Sequence, residues 1–230
     1  VNMNVRGGRT KQLKKNYRNT RQIAAAAMSL IDFETDKTEF TELECAVRDG
    51  DIPQYAYFDS FHSQMEYVCL ILKNYNLVES PTVILHRNRS ELNNIAAYLT
   101  RHGITTEVVH KDFEDFGNNS VKICTLSSVK GMEFDNVIIV DLNDDIIPFP
   151  PGFTDPNDDY HISTERKLLY VAMTRARERL YMFSSGEPSR YLDEIDPETI
   201  LNLNELPAEY SETEYNAENE NEDGNEDIQF

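Results

Sequence analysis

Short apolar runs alternate with longer stretches of helical period along most of this chain. Four runs have the length of a strand and are mainly apolar: 82–85, 121–126, 137–141 and 180–183. A continuous apolar run is typical of a strand that is buried on both faces, as the strands of parallel sheets are. Strands that alternate with helices in this way predict an α/β fold, with a mainly parallel sheet and helices on both of its faces.

Hydroxyl residues mark the predicted starts of three helices. Thr20, Ser60 and Ser90 each precede a stretch with apolar residues at helical spacing. A Ser or Thr side chain at the N-cap accepts a hydrogen bond from a backbone N–H of the first helical turn. The third stretch ends before Gly103, a residue that suits the left-handed end of a helix. The pattern over 162–178 predicts a fourth helix.

A hairpin is predicted in the first third of the chain. Two segments that favour strands, 43–48 and 54–58, flank the turn signal Asp49-Gly50-Asp51. An Asp-Gly pair between strand-like segments favours a tight turn. The two segments are therefore expected to pair with each other.

Negative charge is concentrated at the C-terminal end. The net charge is −19, and fourteen acidic residues with no basic residue lie from Asp193 onward. From Pro207 the chain has too few apolar residues to offset the entropy lost on ordering, which predicts disorder. The chain thus divides into a basic N-terminal segment at 1–12, an α/β domain at 13–195 and an acidic, disordered tail at 196–230.

The N-terminal end carries the opposite charge. Seven basic residues precede the first carboxylate, Asp32. Such a segment either binds an anion or forms a solvated basic surface, and composition leaves both possibilities open. The seven residues are Arg6, Arg9, Lys11, Lys14, Lys15, Arg18 and Arg21.

Cysteine usage and hydropathy indicate the cellular compartment in which the protein is expected. Cys45, Cys69 and Cys124 are odd in number and form no C-x-x-C pair, which argues against a disulfide framework and a zinc site. No apolar run has the length that crosses a bilayer, and no signal peptide is recognisable. We expect a soluble, cytoplasmic protein with no membrane partner. Because the chain begins with Val1, we also expect it to be part of a longer protein.

Three short segments carry most of the chemistry. They are NYRN at 16–19, KGMEF at 130–134 and TRA at 174–176. In order and spacing they resemble the last motifs of UvrD/Rep-type superfamily 1 DNA helicases, whose first motif of the three reads N-Y-R-[ST]. The resemblance extends from about residue 13 to about residue 192. No G-x-x-x-x-G-K-[ST] phosphate loop is present in the chain.

The resemblance implies the second RecA-like domain of such a helicase, a three-layer fold that faces ATP across a cleft. Tyr17 would stack on the adenine, and Arg18 would contact the γ-phosphate. Arg175 would act as an arginine finger, while Glu133 would bind the sugar or phosphate region and Gly131 would allow tight backbone geometry. Arginine suits these roles because its guanidinium presents a rigid fork of donors to phosphate.

The resemblance also implies a path for single-stranded DNA. Ser127 and Lys130 would lie on this path, and the family often has a histidine where this chain has Ser127, which predicts a weakened or altered contact. Arg87 and Arg89 follow a predicted strand and either contact phosphates or belong to a surface loop. Many relatives insert a large helical subdomain before the KGMEF strand. Only a short segment separates positions 102 and 121 here, so that subdomain is expected to be absent or trimmed.

One acidic pattern imitates a magnesium site. The apolar run 137–141 ends in Asp141 and is followed by Asp144 and Asp145. No phosphate loop precedes this run, and the corresponding strand of the family carries no metal, so no metal ligand is predicted in this chain. ATP and Mg²⁺ are expected to be bound mainly by an N-terminal RecA-like domain outside it.

Two functions remain open. The first is the C-terminal motor domain of an ATP-dependent DNA helicase or translocase, with single-stranded DNA and an N-terminal RecA-like domain as partners. Without a phosphate loop and a magnesium-binding strand, this chain alone is expected to hydrolyse no ATP. The second is a helicase-derived scaffold that docks a protein partner through its acidic tail. A phosphate loop upstream of Val1 in the full-length protein would favour the first.

Overall fold

The computed structural model describes residues 18–34, 48–109, 120–148, 155 and 158–206. Within these ranges seven strands form one sheet in the order β3-β4-β2-β5-β6-β1-β7, and every pair of neighbouring strands is parallel. The strands are β1 Gln54–Tyr57, β2 Thr82–His86, β3 Thr106–Val108, β4 Val121–Thr125, β5 Phe134–Ile139, β6 Ala176–Ser184 and β7 Leu201–Asn202.

Helices cover both faces of this sheet. Val83 and Leu85 of β2 pack in one core with two of the helices, α1 and α4, whereas Ile84 between them packs with the other two, α2 and α3. Successive strand residues point to opposite faces, so the two cores lie on opposite sides of the sheet. The predicted three-layer α/β fold is confirmed. The helices are α1 Arg21–Ile31, α2 Phe61–Asn74, α3 Leu92–Arg101 and α4 Asp159–Met173.

Two of the three predicted N-caps are confirmed. The Thr20 hydroxyl accepts from the backbone N–H of Ile23 at 3.3 Å, and the Ser60 hydroxyl accepts from the N–H of Ser63 at 3.1 Å. The prediction for Ser90 is wrong, because a 3₁₀ turn over Arg89–Glu91 delays the start of α3. The Ser90 hydroxyl donates to the Glu91 carboxylate instead.

The predicted hairpin is wrong. Strand β1 lies between β6 and β7 and pairs with both of them in parallel, so both of its edges are occupied by strands that follow it in the chain. Arg48 forms a parallel bridge with Thr20 rather than with β1. Residues 43–47 lie outside the described residues.

The helix predicted over 162–178 has different bounds. Helix α4 begins at Asp159 and ends at Met173, and the chain then enters β6 at Ala176. The pairing of Phe134 with Ala176 in the sheet prevails over the helical pattern of the sequence. Arg175, which the sequence pattern places within a helix, therefore lies in the short turn between α4 and β6.

The domain continues beyond the predicted boundary at 195. Strand β7 adds to the edge of the sheet, where the N–H of Leu201 donates to the carbonyl of Pro53 at 2.8 Å. The Asn204 side chain extends this edge, since its amide accepts from the N–H of Tyr57 and donates to the Tyr57 carbonyl. These backbone pairings had no clear sequence signal. The tail predicted to be disordered lies outside the described residues from position 207 onward.

Candidate functional site

Three charged side chains meet where β5 and β6 begin. Arg18 precedes the N-cap of α1, Glu133 immediately precedes β5, and Arg175 lies in the turn before β6. The Arg18 Nη2 atom lies 2.6 Å from Glu133 Oε1, and both side chains are about two-fifths exposed, at 42% and 40%. The structure thus brings together three of the residues predicted to face a nucleotide. Tyr17 lies outside the described residues.

The Arg175 guanidinium is half-buried between backbone groups. Its Nε donates to the carbonyl of Val171 at 3.0 Å, and Nη1 lies 3.4 Å from the carbonyl of Met132. Burial lowers the pKa of Arg175, and the positive charge of Arg18 lowers it further, while Glu133 acts in the opposite direction. An arginine stays charged despite such a shift. Two guanidinium groups thus lie near the Glu133 carboxylate at this end of the sheet, and guanidinium donors suit an anion such as phosphate.

Glu133 ends a segment that crosses one face of the sheet. Residues 126–133 run from the carboxyl end of β4 to the amino end of β5, and β2 lies between these two strands. Leu126 and Val129 are fully buried in the core that α1 and α4 cover. Gly131 has φ +90, a backbone conformation that strains any residue with a side chain. The predicted need for tight backbone geometry at Gly131 has this physical basis.

A second group of predicted residues lies at the opposite end of the strands. His86 and Thr125 end the paired strands β2 and β4, so the loops that follow leave the sheet side by side. The Thr125 hydroxyl lies 3.0 Å from the Ser127 hydroxyl. Of the residues predicted to contact DNA, Arg89 and Ser127 are exposed in these loops, and Lys130 is exposed farther along segment 126–133.

Arg87 differs from these three residues. Its Nε and Nη2 donate to the two carboxylate oxygens of Glu165 at 2.8 and 2.9 Å. The Glu165 side chain is only 5% exposed, and that of Arg87 is 23% exposed. This two-point ion pair fastens α4 to the loop after β2, a contact that the sequence does not indicate. The Glu165 carboxylate is thus engaged by Arg87.

A buried polar cluster lies beneath the carboxyl ends of β2, β5 and β6. The Asp141 carboxylate accepts from Gln64 at 2.9 Å and from Ser185, and it lies 3.3 Å from His86 Nε2. Burial is the largest influence and raises the pKa of Asp141, but the nearby His86 imidazole and the hydrogen bonds from Ser185 and Gln64 outweigh it and lower the pKa. The carboxylate is thus held charged in the interior by its donors.

Asp144, a second of the three carboxylates in the pattern that imitates a magnesium site, has an arginine partner. Asp144 accepts from Arg190 Nε at 2.8 Å and from Nη2 at 2.7 Å, and these bonds lower its pKa. Within the described residues no group of three or more His, Cys, Asp or Glu side chains could hold a metal ion. No helix in the same ranges is both long enough and apolar enough to span a membrane.

The fold and this arrangement define a RecA-like α/β domain, and comparisons with known proteins narrow the class. Residues 110–187 match the family model described as UvrD-like helicase C-terminal domain. This match includes the Glu133 segment and the Arg175 turn, and it ends before the β7 extension. The resemblance to the C-terminal domain of UvrD-type helicases is confirmed.

Individual relatives with similar sequences are named as ATP-dependent DNA helicases. The chain is 41% identical over 96 residues to the ATP-dependent DNA helicase UvrD1 of Mycobacterium leprae, an alignment that covers 36% of this chain and 12% of that protein. It is 32% identical over 108 residues to the ATP-dependent DNA helicase PcrA of Leuconostoc citreum, which covers 41% of this chain and 14% of the relative. The chain thus spans less than a sixth of the length of these curated relatives.

A solved structure shows the same fold. The C-terminal domain of a possible DNA helicase from Lactobacillus plantarum WCFS1 superposes with a TM-score of 0.61 at 20% sequence identity. The match covers 81% of this chain and 98% of that domain. At this identity the likeness supports the architecture and not a residue role.

Proposed function

We propose that this chain is the C-terminal motor domain of an ATP-dependent DNA helicase or translocase. It supplies Arg18 and Arg175 to ATP and Mg²⁺ that are bound mainly by an N-terminal RecA-like domain. The observation that carries the proposal is the convergence of Arg18, Glu133 and Arg175 from three separate segments at one end of the sheet. A scaffold has no physical need for two arginines that converge with Glu133 in this way.

The arginines suit phosphoryl transfer because negative charge is spread over the transferring phosphoryl group. A half-buried guanidinium aimed at that group stabilises the transition state more than the ground state, and an arginine finger contributes about 10³- to 10⁵-fold in turnover. In this proposal Arg175 is the finger, and its contacts with the carbonyls of Val171 and Met132 restrict its orientation.

Arg18 is proposed to bind the γ-phosphate after it leaves Glu133. The pair is about two-fifths exposed, at 42% and 40%, and an exposed ion pair contributes only about 0–1 kcal/mol. A phosphate that carries more than one negative charge therefore competes readily for the guanidinium. Glu133 would then be free to accept from a sugar hydroxyl, while Tyr17 stacks on the adenine.

Single-stranded DNA is proposed to pass the carboxyl ends of β2 and β4. Arg89 and Ser127 are exposed there and Lys130 is exposed farther along segment 126–133, and all three offer donors to phosphates. Arg87 is proposed to contact a phosphate from the same loop while its Nε and Nη2 bind Glu165. Segment 126–133, anchored in the core by Leu126 and Val129, connects this end of the sheet to Glu133, and this connection is proposed to couple DNA binding to the nucleotide site.

The test compares the full-length parent protein with this chain. The parent is expected to hydrolyse ATP in the presence of single-stranded DNA, and this chain alone is expected to show no turnover above background. Lys130→Ala in the parent should weaken DNA binding and reduce its salt dependence, whereas Lys73→Ala on α2 serves as a control. A parent without DNA-stimulated hydrolysis would favour the scaffold. ATP hydrolysis by this chain alone would contradict the proposal that ATP and Mg²⁺ are bound mainly by the N-terminal RecA-like domain.

A further inference from the structure

The buried amide of Asn19 holds the turn that carries Arg175. Asn19 is 1% exposed, and its Nδ2 donates to the carbonyl of Thr174 at 3.0 Å and to the carbonyl of Ala176. An asparagine side chain has two N–H donors, and both are directed at the carbonyls on either side of Arg175.

The carbonyl between these two is also fixed. The N–H of Phe134 donates to the carbonyl of Arg175 at 3.0 Å. The peptide plane before the Arg175 Cα atom is thus held by Asn19, and the plane after it is held by Phe134. These two planes determine φ and ψ of Arg175 and hence the direction in which its side chain leaves the backbone.

Arg18 and Glu133 are the chain neighbours of the two donors. Asn19 follows Arg18, and Phe134 follows Glu133, so the same three hydrogen bonds also fix the spacing of the three segments that form the charged site. We propose that Asn19 is a positioning residue for Arg175, which acts by orienting the turn and does not touch the nucleotide. This inference rests on the proposed role of Arg175 in ATP hydrolysis.

Two substitutions distinguish the effect of the Asn19 N–H donors from the effect of the side-chain shape. Asn19→Asp keeps the shape but replaces the N–H donors with an oxygen that faces two carbonyl oxygens. Asn19→Ser supplies one donor on a shorter side chain, which satisfies at most one of the two carbonyls. A misplacement of a catalytic group by about 1 Å costs on the order of 10²-fold in rate. We therefore expect kcat to fall by about 10- to 100-fold in Asn19→Asp and by a smaller factor in Asn19→Ser.

The experiment measures DNA-stimulated ATP hydrolysis by the full-length parent protein. The variants are Asn19→Asp, Asn19→Ser, Arg175→Ala and each Asn19 variant combined with Arg175→Ala. Asn93→Asp, an exposed substitution on α3, is the matched control. Positioning predicts that KM for ATP changes by less than about threefold while kcat falls, and that each double variant is about as slow as Arg175→Ala alone.

Other outcomes separate the two proposals. If Arg175→Ala hydrolyses ATP normally, the proposed function fails, and the positioning role fails with it. If Arg175→Ala is slow but both Asn19 variants are normal, the positioning role alone fails. The positioning role also fails if an Asn19 substitution lowers kcat by the same factor in the Arg175→Ala protein as in the unsubstituted protein. That result is expected when Asn19 has only a structural role. If Asn19→Asp does not fold, Asn19→Ser provides the same comparison.

Discussion

Arg166 on α4 offers a quantitative test of the packing that supports the candidate site. Its guanidinium binds two carboxylates from distant segments, Glu34 after α1 and Glu194 after β6, with Nη2 2.7 Å from Glu194 Oε1. The side chains of Arg166, Glu34 and Glu194 are only 10%, 5% and 16% exposed. These contacts raise the pKa of Arg166, the hydrogen bonds of Glu194 most of all.

Arg166→Met keeps an unbranched apolar stem but removes the guanidinium and its charge. Two largely buried carboxylates then lose their main partner, although the Lys167 ammonium 3.9 Å from Glu34 and the Ser163 hydroxyl remain. Removing one partner of a buried ion pair costs about 3–5 kcal/mol. Because Glu194 retains some solvent contact and Glu34 retains these two groups, we expect the free energy of unfolding to fall by about 3 kcal/mol.

Urea unfolding of this chain at neutral pH, followed by circular dichroism, measures the change. Arg101→Met on the exposed face of α3 is the control, and its effect should stay within about 0.5 kcal/mol. The triple variant Arg166→Met, Glu34→Gln, Glu194→Gln should recover part of the loss, because no unpaired charge remains buried. A loss below about 1 kcal/mol in Arg166→Met, or no recovery in the triple variant, would refute the reasoning.

Two further predictions concern acid and the tail. Folding lowers the pKa of Asp141 and Asp144. Their contribution to stability is therefore present above the unfolded pKa of about 3.9 and is lost as the pH falls through the lower folded values. Urea midpoints should show that Asp144→Asn destabilises the chain at pH 7 and much less at about pH 2. Deletion of residues 207–230, which carry nine carboxylates, should leave the melting temperature within about two degrees and strengthen binding to single-stranded DNA at low salt. Fluorescence anisotropy at two salt concentrations checks the second effect, and unchanged affinity at low salt would exclude competition by the tail.

Local sequence signals predicted the layers of the fold well. The apolar runs became central strands because both faces of these strands are buried, and the hydroxyls of Thr20 and Ser60 cap helices through bonds to residues three positions away. Such contacts depend on neighbours in the chain. Elements that depend on such local contacts can therefore be predicted from the sequence.

Contacts between distant segments were less predictable. Strand β1 forms no hairpin because β6 and β7 occupy its edges, and α4 ends early because Ala176 pairs with Phe134. Neither strand pairing can be predicted from the local sequence pattern of the strands involved.

The same distinction holds for the polar sites. Arg18, Glu133 and Arg175 were predicted together through a family resemblance, since their positions along the chain are far apart. No motif indicated that His86, Gln64 and Ser185 would surround Asp141, or that Asn19 would hold the Arg175 turn. The family motif has Ser or Thr where this chain has Asn19, and this difference does not indicate which groups Asn19 binds.

The role of Arg175 is the central claim, and one kinetic comparison tests it most directly. In the full-length parent protein, Arg175→Ala and the control Arg101→Ala are assayed for DNA-stimulated ATP hydrolysis and for ATP affinity. We predict that Arg175→Ala lowers kcat by at least about a hundredfold while ATP affinity changes much less, because an arginine finger acts mainly in the transition state. The Arg101 variant should retain normal turnover. A near-normal kcat in Arg175→Ala would contradict the account.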